Sequence, residues 1–385
     1  MRRQIHTIGV CMLLLLAIGP TRNAWACPFC GPPQSRLSER LAKNDVAVVA
    51  EWLEASQAKN ATDGSTRFRV IERIRGPEGK LVFAKGDRIT LPREWRAEAR
   101  QHCLLFGRKE EELLWETPVP LSDEAYQYVL KAPAIDEPVG KRLEYYLGHL
   151  ESSDSLIAMD ALAEFAVVPY ADVATLAKKL PREKLRGWLA DEQTVPHRLG
   201  LYGMMLGLCG MEKDAETLRA RIETPNPGYP FGLDGVAFGY LLLTKSDGLD
   251  ILDEIKLRPT KTNSTELASL MAAMRVMWTD GGDRIPRERL RRSMRLLLDH
   301  PEAAEKAITD LARWEDWSIQ DRLMSLYGAD GFDDRHTRQA IAGYFLAATK
   351  AESATTKLQA RANLDKLRQR DPAIVKNAER FIRGE

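Results

Sequence analysis

Hydrophobic positions along this chain follow two different periods. From Asp45 to Leu121 they form short runs or alternate with polar residues, the spacing expected of strands. Val46–Ala50 is a continuous apolar run. In Arg67–Ile74, the residues Phe68, Val70 and Ile74 share a face. Ile89 and Leu91 alternate, Cys103–Phe106 is apolar again, and Leu113–Trp115 is a further short candidate. Gly76-Pro77, Lys85-Gly86-Asp87 and Pro92 punctuate these runs as turn formers. Five short strands predict a small barrel or sandwich. A helical turn over Ser35–Lys43, capped by Ser35 or Ser38, leads into it.

After Glu137-Pro138 the period becomes helical. Val173, Leu176, Ala177 and Leu180 stand at i, i+3, i+4 and i+7, and so do Leu267, Leu270, Met271 and Met274, continued by Met277 and Trp278. Ile319, Leu323 and Leu326 repeat the stripe, as do Ile341, Phe345 and Ala348. Breakers such as Leu180-Pro181, Val195-Pro196, Asp280-Gly281-Gly282 and His300-Pro301 separate roughly a dozen helices that pair in sequence, the signature of an α-solenoid, with a globular helical bundle as the rival packing. The Pro- and Gly-rich stretch Thr224–Gly235 interrupts the series as a long loop or a kink. The fold class expected is multi-domain α+β, a small N-terminal β-barrel followed by an all-α solenoid.

The first residues follow neither period. Arg2 and Arg3 precede the apolar stretch Ile8–Ile18, and Ala24-Trp25-Ala26 has the form of a cleavage site, so 1–26 reads as a secretory signal peptide. The domains expected are then a β-barrel over 27–125, a linker over 126–138 and a helical-repeat part over 139–385. Export places the protein in the cell envelope, the periplasm or the medium. Cleavage would make Cys27 the first residue and open the option of a lipid anchor there. The chain carries 56 Lys and Arg against 55 Asp and Glu, and loss of Arg2, Arg3 and Arg22 leaves the remainder slightly acidic. No overall field draws nucleic acid or an anionic membrane, and no transmembrane segment is expected after residue 26.

The helix pair Ser155–Phe165 and Tyr170–Lys179 resembles HEAT-type repeats, which implies an interaction surface and no reaction. The N-terminal part resembles the netrin-like domains of tissue inhibitors of metalloproteinases. The resemblance is carried by Cys27, the runs Asp45–Trp52 and Thr66–Pro77, Gly86–Leu91 and Cys103–Gly107. It implies a five-stranded OB-like barrel whose N-terminal cysteine could chelate a protease's metal. That family opens with two cysteines one residue apart, whereas this chain has Cys27-Pro28-Phe29-Cys30.

Candidate chemistry is sparse. Cys27-Pro28-Phe29-Cys30 is compatible with a redox pair, a metal site with His102 and Cys103, or a structural disulfide, and Cys30 with Cys103 is the favoured disulfide. His102, His149, His197, His300 and His336 each stand alone, which favours solvated or capping roles over metal ligation. Asp330-Gly331-Phe332-Asp333-Asp334 reads as a helix start. No nucleophile elbow, phosphate loop or zinc-protease motif occurs, so no catalytic, cofactor or metal residue is assigned. Arg287, Arg291 and Arg295 line one face of a helix, and Trp314, Trp317, Tyr229 and Phe231 are aromatic candidates for a partner surface. The function expected is a non-enzymatic, exported scaffold that binds protein partners through its β part and its helical surface. An enzyme inhibitor acting through Cys27 is the alternative, and an envelope enzyme with a dispersed site is the third reading.

Overall fold

The computed structural model describes residues 27–29, 35–56, 64–75, 83–224, 230–259 and 261–383. The signal-peptide candidate, Cys30 and Tyr229 lie outside the described residues. Helix α1 (Leu37–Lys43) precedes six strands, β1 (Val46–Ser56), β2 (Ser65–Arg75), β3 (Arg88–Leu91), β4 (His102–Lys109), β5 (Leu113–Trp115) and β6 (Val119–Leu121). All pair antiparallel in the order β3-β2-β1-β4-β5, and β6 adds to β4 at the end opposite β5. Among the described residues β3 does not meet β5, so the sheet is open where a closed barrel was expected. The sixth strand escaped the periodic pattern because it is three residues long and centred on Pro120, a residue confined to sheet edges.

The sheet is buried on both faces, which is why Val46–Ala50 reads as a continuous apolar run. Val46, Val48 and Ala50 face Phe68, Val70, Ile89, Leu91, Cys103 and Leu105 in a small core, against which Trp52, Phe83, Trp95 and Trp115 pack. Ala47 and Val49, with Leu104 and Phe106, join the other core, which continues through the helices to Ala378. The stretch read as a linker therefore carries no break. It begins inside α2 (Asp123–Lys131), where the Ser122 side chain accepts a hydrogen bond from the Ala125 amide and Tyr128 and Val129 are buried.

The rest of the chain is helical: α3 (Val139–Leu147), α4 (Ser155–Ala166), α5 (Tyr170–Ala174), α6 (Arg182–Ala190), α7 (Leu199–Cys209), α8 (Ala215–Glu223), α9 (Leu233–Leu252), α10 (Ser264–Asp280), α11 (Arg287–Leu296), α12 (Pro301–Arg313), α13 (Gln320–Leu326), α14 (Arg335–Ala348), α15 (Ala354–Arg370) and α16 (Pro372–Arg383). Local signals mark several starts. Asp154, Asn263, Asp334 and Ser353 accept hydrogen bonds from the first amides of α4, α10, α14 and α15, and Asp334 confirms the helix-start reading of its Gly- and Asp-rich turn. The protein is thus a mixed α+β chain, with an antiparallel sheet leading into a predominantly helical remainder.

Two central helices pack through glycine. The residues Gly200, Gly203 and Gly207 of α7 recur, at the same spacing, as Gly232, Gly235 and Gly239 at the start of α9. A Cβ on Gly207 would lie 2.4 Å from the Gly239 Cα, and one on Gly239 would lie 1.9 Å from the Gly203 carbonyl oxygen. The two backbones are in direct contact, an approach that larger side chains would block. Helix α9 breaks at Lys245, whose φ is 56°, so it is two helices in succession, as α7 and α8 are.

Candidate functional site

Two clusters of ionisable side chains stand out, and their surroundings separate structure from function. The first lies where α1 meets α4. Asp160 and Glu164, one turn apart on α4, are both buried. Glu164 Oε2 receives Arg142 Nη2 at 2.7 Å and Arg36 Nη1 at 3.3 Å, and the Ser38 hydroxyl donates to its other oxygen. Asp160 accepts from the Leu37 amide at 2.7 Å and the Tyr128 hydroxyl at 2.6 Å. Asp160 therefore caps α1 from a distant helix, in place of the Ser35 or Ser38 cap expected from local sequence. Burial pushes the Asp160 carboxyl up to about 6, against the lowering pull of its two donors. His149 stacks edge-on to Tyr128 with centroids 5.0 Å apart. Most of the cluster's polar atoms bond to one another, although the Nε atoms of Arg36 and Arg142 are buried without a partner, and these residues line neither the Phe231 nor the Trp317 cavity described below. This cluster joins α1 and α2 to the helical part.

The second cluster gathers most of the partner-surface candidates. Trp278 of α10 and Trp314, just after α12, stack at 4.4 Å with their planes 6° apart. Arg287 and Arg291 of α11 sit over the Trp278 ring at 4.9 and 5.5 Å, a cation–π arrangement. Arg291 Nε also donates to the Trp314 carbonyl at 2.9 Å. Arg295 Nε holds Asp316 at 2.6 Å, and the Tyr344 hydroxyl donates to the Asp316 carbonyl. The loop from Trp314 to Trp317 is thereby tied from α11 on one side and α14 on the other. Within it Glu315 adopts a left-handed φ of 56°, a conformation that side chains other than glycine take only where neighbouring contacts enforce it.

Beyond the loop lies a cavity of about 560 Å³, lined by Ala312, Trp317, Leu346, Ala347 and Ala351, with Arg313, Glu315, Lys350 and Glu379 also on its walls. The Trp317 ring is braced edge-on by Tyr344 at 5.4 Å. Asp316 is buried, which by itself would raise its carboxyl. The Arg295 guanidinium and the Ser318 donors outweigh that and hold it below the usual range.

Several expectations change. The arginine face of α11 is not an open basic surface, because Arg291 and Arg295 are spent on Trp314, Glu288 and Asp316. Trp314 is 5% exposed and supports the loop from beneath. Trp317 alone of the two tryptophans reaches the cavity. Phe231 is exposed but borders a different, smaller cavity of about 190 Å³ beside Arg221 and Glu266. Cys103 is a free thiol buried in β4, pushed up to about 12 by desolvation, and its expected partner Cys30 lies outside the described residues. The Cys103 side chain points into the sheet's own core, away from the N-terminal segment. Cys27 and Phe29 belong to the core on the other face, where Phe29 meets Phe238 at 5.1 Å. His300 is also buried, with a ring nitrogen 2.7 Å from the Leu257 carbonyl oxygen, and is not solvated. Sequence reasoning missed Arg313, Glu315 and Lys350, none of which carries a local signal.

Among the described residues no group of three His, Cys, Asp or Glu side chains is placed to hold a metal ion, and no helix is long and apolar enough to cross a membrane. In comparisons with known proteins, the chain matches no family model, no curated protein and no solved structure.

Proposed function

We propose that this chain is an exported, non-catalytic interaction protein whose helical part receives a partner at the Trp317 cavity. The observation that carries the reading is the braced loop Trp314–Trp317. A strained residue, two partly buried arginine contacts and a tyrosine hydroxyl hold one partly exposed tryptophan at the wall of a cavity large enough for a drug-sized ligand. Tryptophan in a preformed pocket is the kind of residue that dominates binding energy. The β part, joined to the helices by a common core, serves as a rigid mount.

A HEAT-like solenoid is the organisation proposed for the helices. The glycine spacing shared by α7 and α9, each followed by a second helix, supports it as an internal repeat. The netrin-like reading draws no comparable support from an open sheet. The burial of Cys27 argues against an inhibitor that works by presenting that residue. Export follows from the basic, apolar and small-residue segments of 1–26, and intact mass of the chain recovered from its envelope or medium tests cleavage after Ala26.

The reading is tested by photo-crosslinking in the native cells. A photoreactive residue at Thr349, on the cavity wall, is compared with one at Lys213, exposed on the turn before α8. A covalent adduct specific to position 349 and lost on Trp317→Ala is expected. Equal adducts at both positions, or an adduct indifferent to Trp317→Ala, would refute it.

A further inference from the structure

We infer that the Trp317 cavity recognises the free C-terminus of a partner polypeptide, with an apolar last residue against Trp317 and the terminal carboxylate between Arg313 and Lys350. The inference rests on the proposed interaction role and names the chemistry of the partner.

Charge and its pairing lead to this class of ligand. Four charged residues line the cavity, two of each sign. Glu379 is already engaged by Arg368 Nη2 at 2.9 Å. Arg313 keeps only a 3.6 Å contact with Asp310, whose carboxylate is held more closely by Arg275 at 2.6 Å, and the Arg313 side chain is 71% exposed. No carboxylate among the described residues pairs with the Lys350 ammonium. After internal pairing, two cations with spare donors line the cavity, and among its described lining residues Glu315 is the one anion left beside them. An anion is therefore the preferred guest, and the apolar floor of Ala312, Trp317, Leu346, Ala347 and Ala351 requires that it carry a hydrophobic body.

Glu315 decides between the two common sources of such a guest. A fatty acid has a carboxylate and a tail but no hydrogen-bond donor for a second acidic side chain. A peptide terminus has both, because the amide N–H groups next to its carboxylate are donors. The left-handed backbone of Glu315 is held by the contacts of its neighbours, which fixes the point at which its exposed side chain leaves the loop beside the cavity. Capture of a terminal carboxylate beside an apolar pocket is a recurrent mode of peptide recognition.

The test titrates full-length protein with N-acetyl-Ala-Leu-Phe bearing a free carboxylate, with its C-terminal amide and with dodecanoate, using calorimetry. The free acid is expected to saturate one site and the amide to bind at least about tenfold more weakly, the loss of one charge-assisted contact. The double variant Arg313→Ala/Lys350→Ala should lose about the same factor for the acid and little for the amide. Both side chains are exposed, so unchanged circular dichroism and thermal midpoint would show that the fold survives. Equal binding of acid and amide, or dodecanoate binding as tightly as the peptide, would overturn the inference. Failure of all three ligands while the position-349 crosslink persists would overturn it too and leave the interaction reading standing. Failure of both the ligands and the crosslink would remove both.

Discussion

The junction at α4 and the loop at Trp314–Trp317 both bury a carboxylate near arginine, yet the two acids respond oppositely. Asp160 is raised to about 6, whereas Asp316 is lowered. In both cases desolvation is the largest influence and favours the neutral acid. The outcome depends on what faces the carboxylate. Asp316 has the Arg295 guanidinium at 2.6 Å. At the junction both nearby guanidiniums, Arg36 and Arg142, go to Glu164, and Asp160 is left with the neutral donors of Leu37 and Tyr128. A charged hydrogen bond offsets burial where a neutral pair does not. The difference also separates roles, since the junction is sealed inside the fold while the loop stands beside a cavity.

The strongest way to break this comparison is Glu164→Ala. Two buried guanidiniums would lose their carboxylate, at a cost of about 3–5 kcal/mol in urea unfolding. A small loss would mean that water reaches the junction and that it is no buried clamp. Trp314→Ala should be nearly as costly, about 3–5 kcal/mol, because Trp314 is buried against Trp278. At the loop, Asp316→Asn should cost about 1–3 kcal/mol by weakening the Arg295 contact, and it should reduce partner crosslinking at position 349 in step with the loosening of Trp317.

The pH dependence sharpens the contrast. Asp160 holds its proton more tightly folded than unfolded, so its contribution to stability is present below about pH 4 and is lost as pH rises through about 6. Asp316 has the reverse sign, contributing above its ordinary value of 3.8 and losing that contribution as pH falls through its lowered one. Thermal unfolding of wild type and Asp160→Asn between about pH 7 and pH 4.5 should therefore show wild type gaining relative to the variant as pH falls. An unchanged difference would mean that Asp160 titrates normally. The smallest effect on stability is expected from Trp317→Ala. Its ring is partly exposed, so the loss should be about 1 kcal/mol, while binding at the cavity should be lost.

Much of the candidate site was legible residue by residue and illegible as a site. Arg287, Arg291, Arg295, Trp314 and Trp317 stand out as charged or aromatic residues near helix ends, but a sequence cannot say that the arginines would be spent on the tryptophans. Arg313 and Lys350 are ordinary surface cations until the ends of α12 and α14 are set beside one cavity. The surroundings of Cys103 were illegible for a related reason. Alternation places Cys103 on one face of β4, and which face meets the N-terminal segment depends on packing.

By itself the sequence determined what local physics controls. The period of two before Leu121 and the period of 3.6 after Pro138 set strands and helices, and Asp154, Asn263, Asp334 and Ser353 set helix starts, because these depend on neighbours within a few residues. Tertiary structure decided what depends on residues far apart in the chain. It left the sheet open, ran one core through sheet and helices, capped α1 with an aspartate from α4 and brought the glycines of α7 and α9 into backbone contact. Each of these sets one surface against another, and a surface has no partner until the chain has closed on itself.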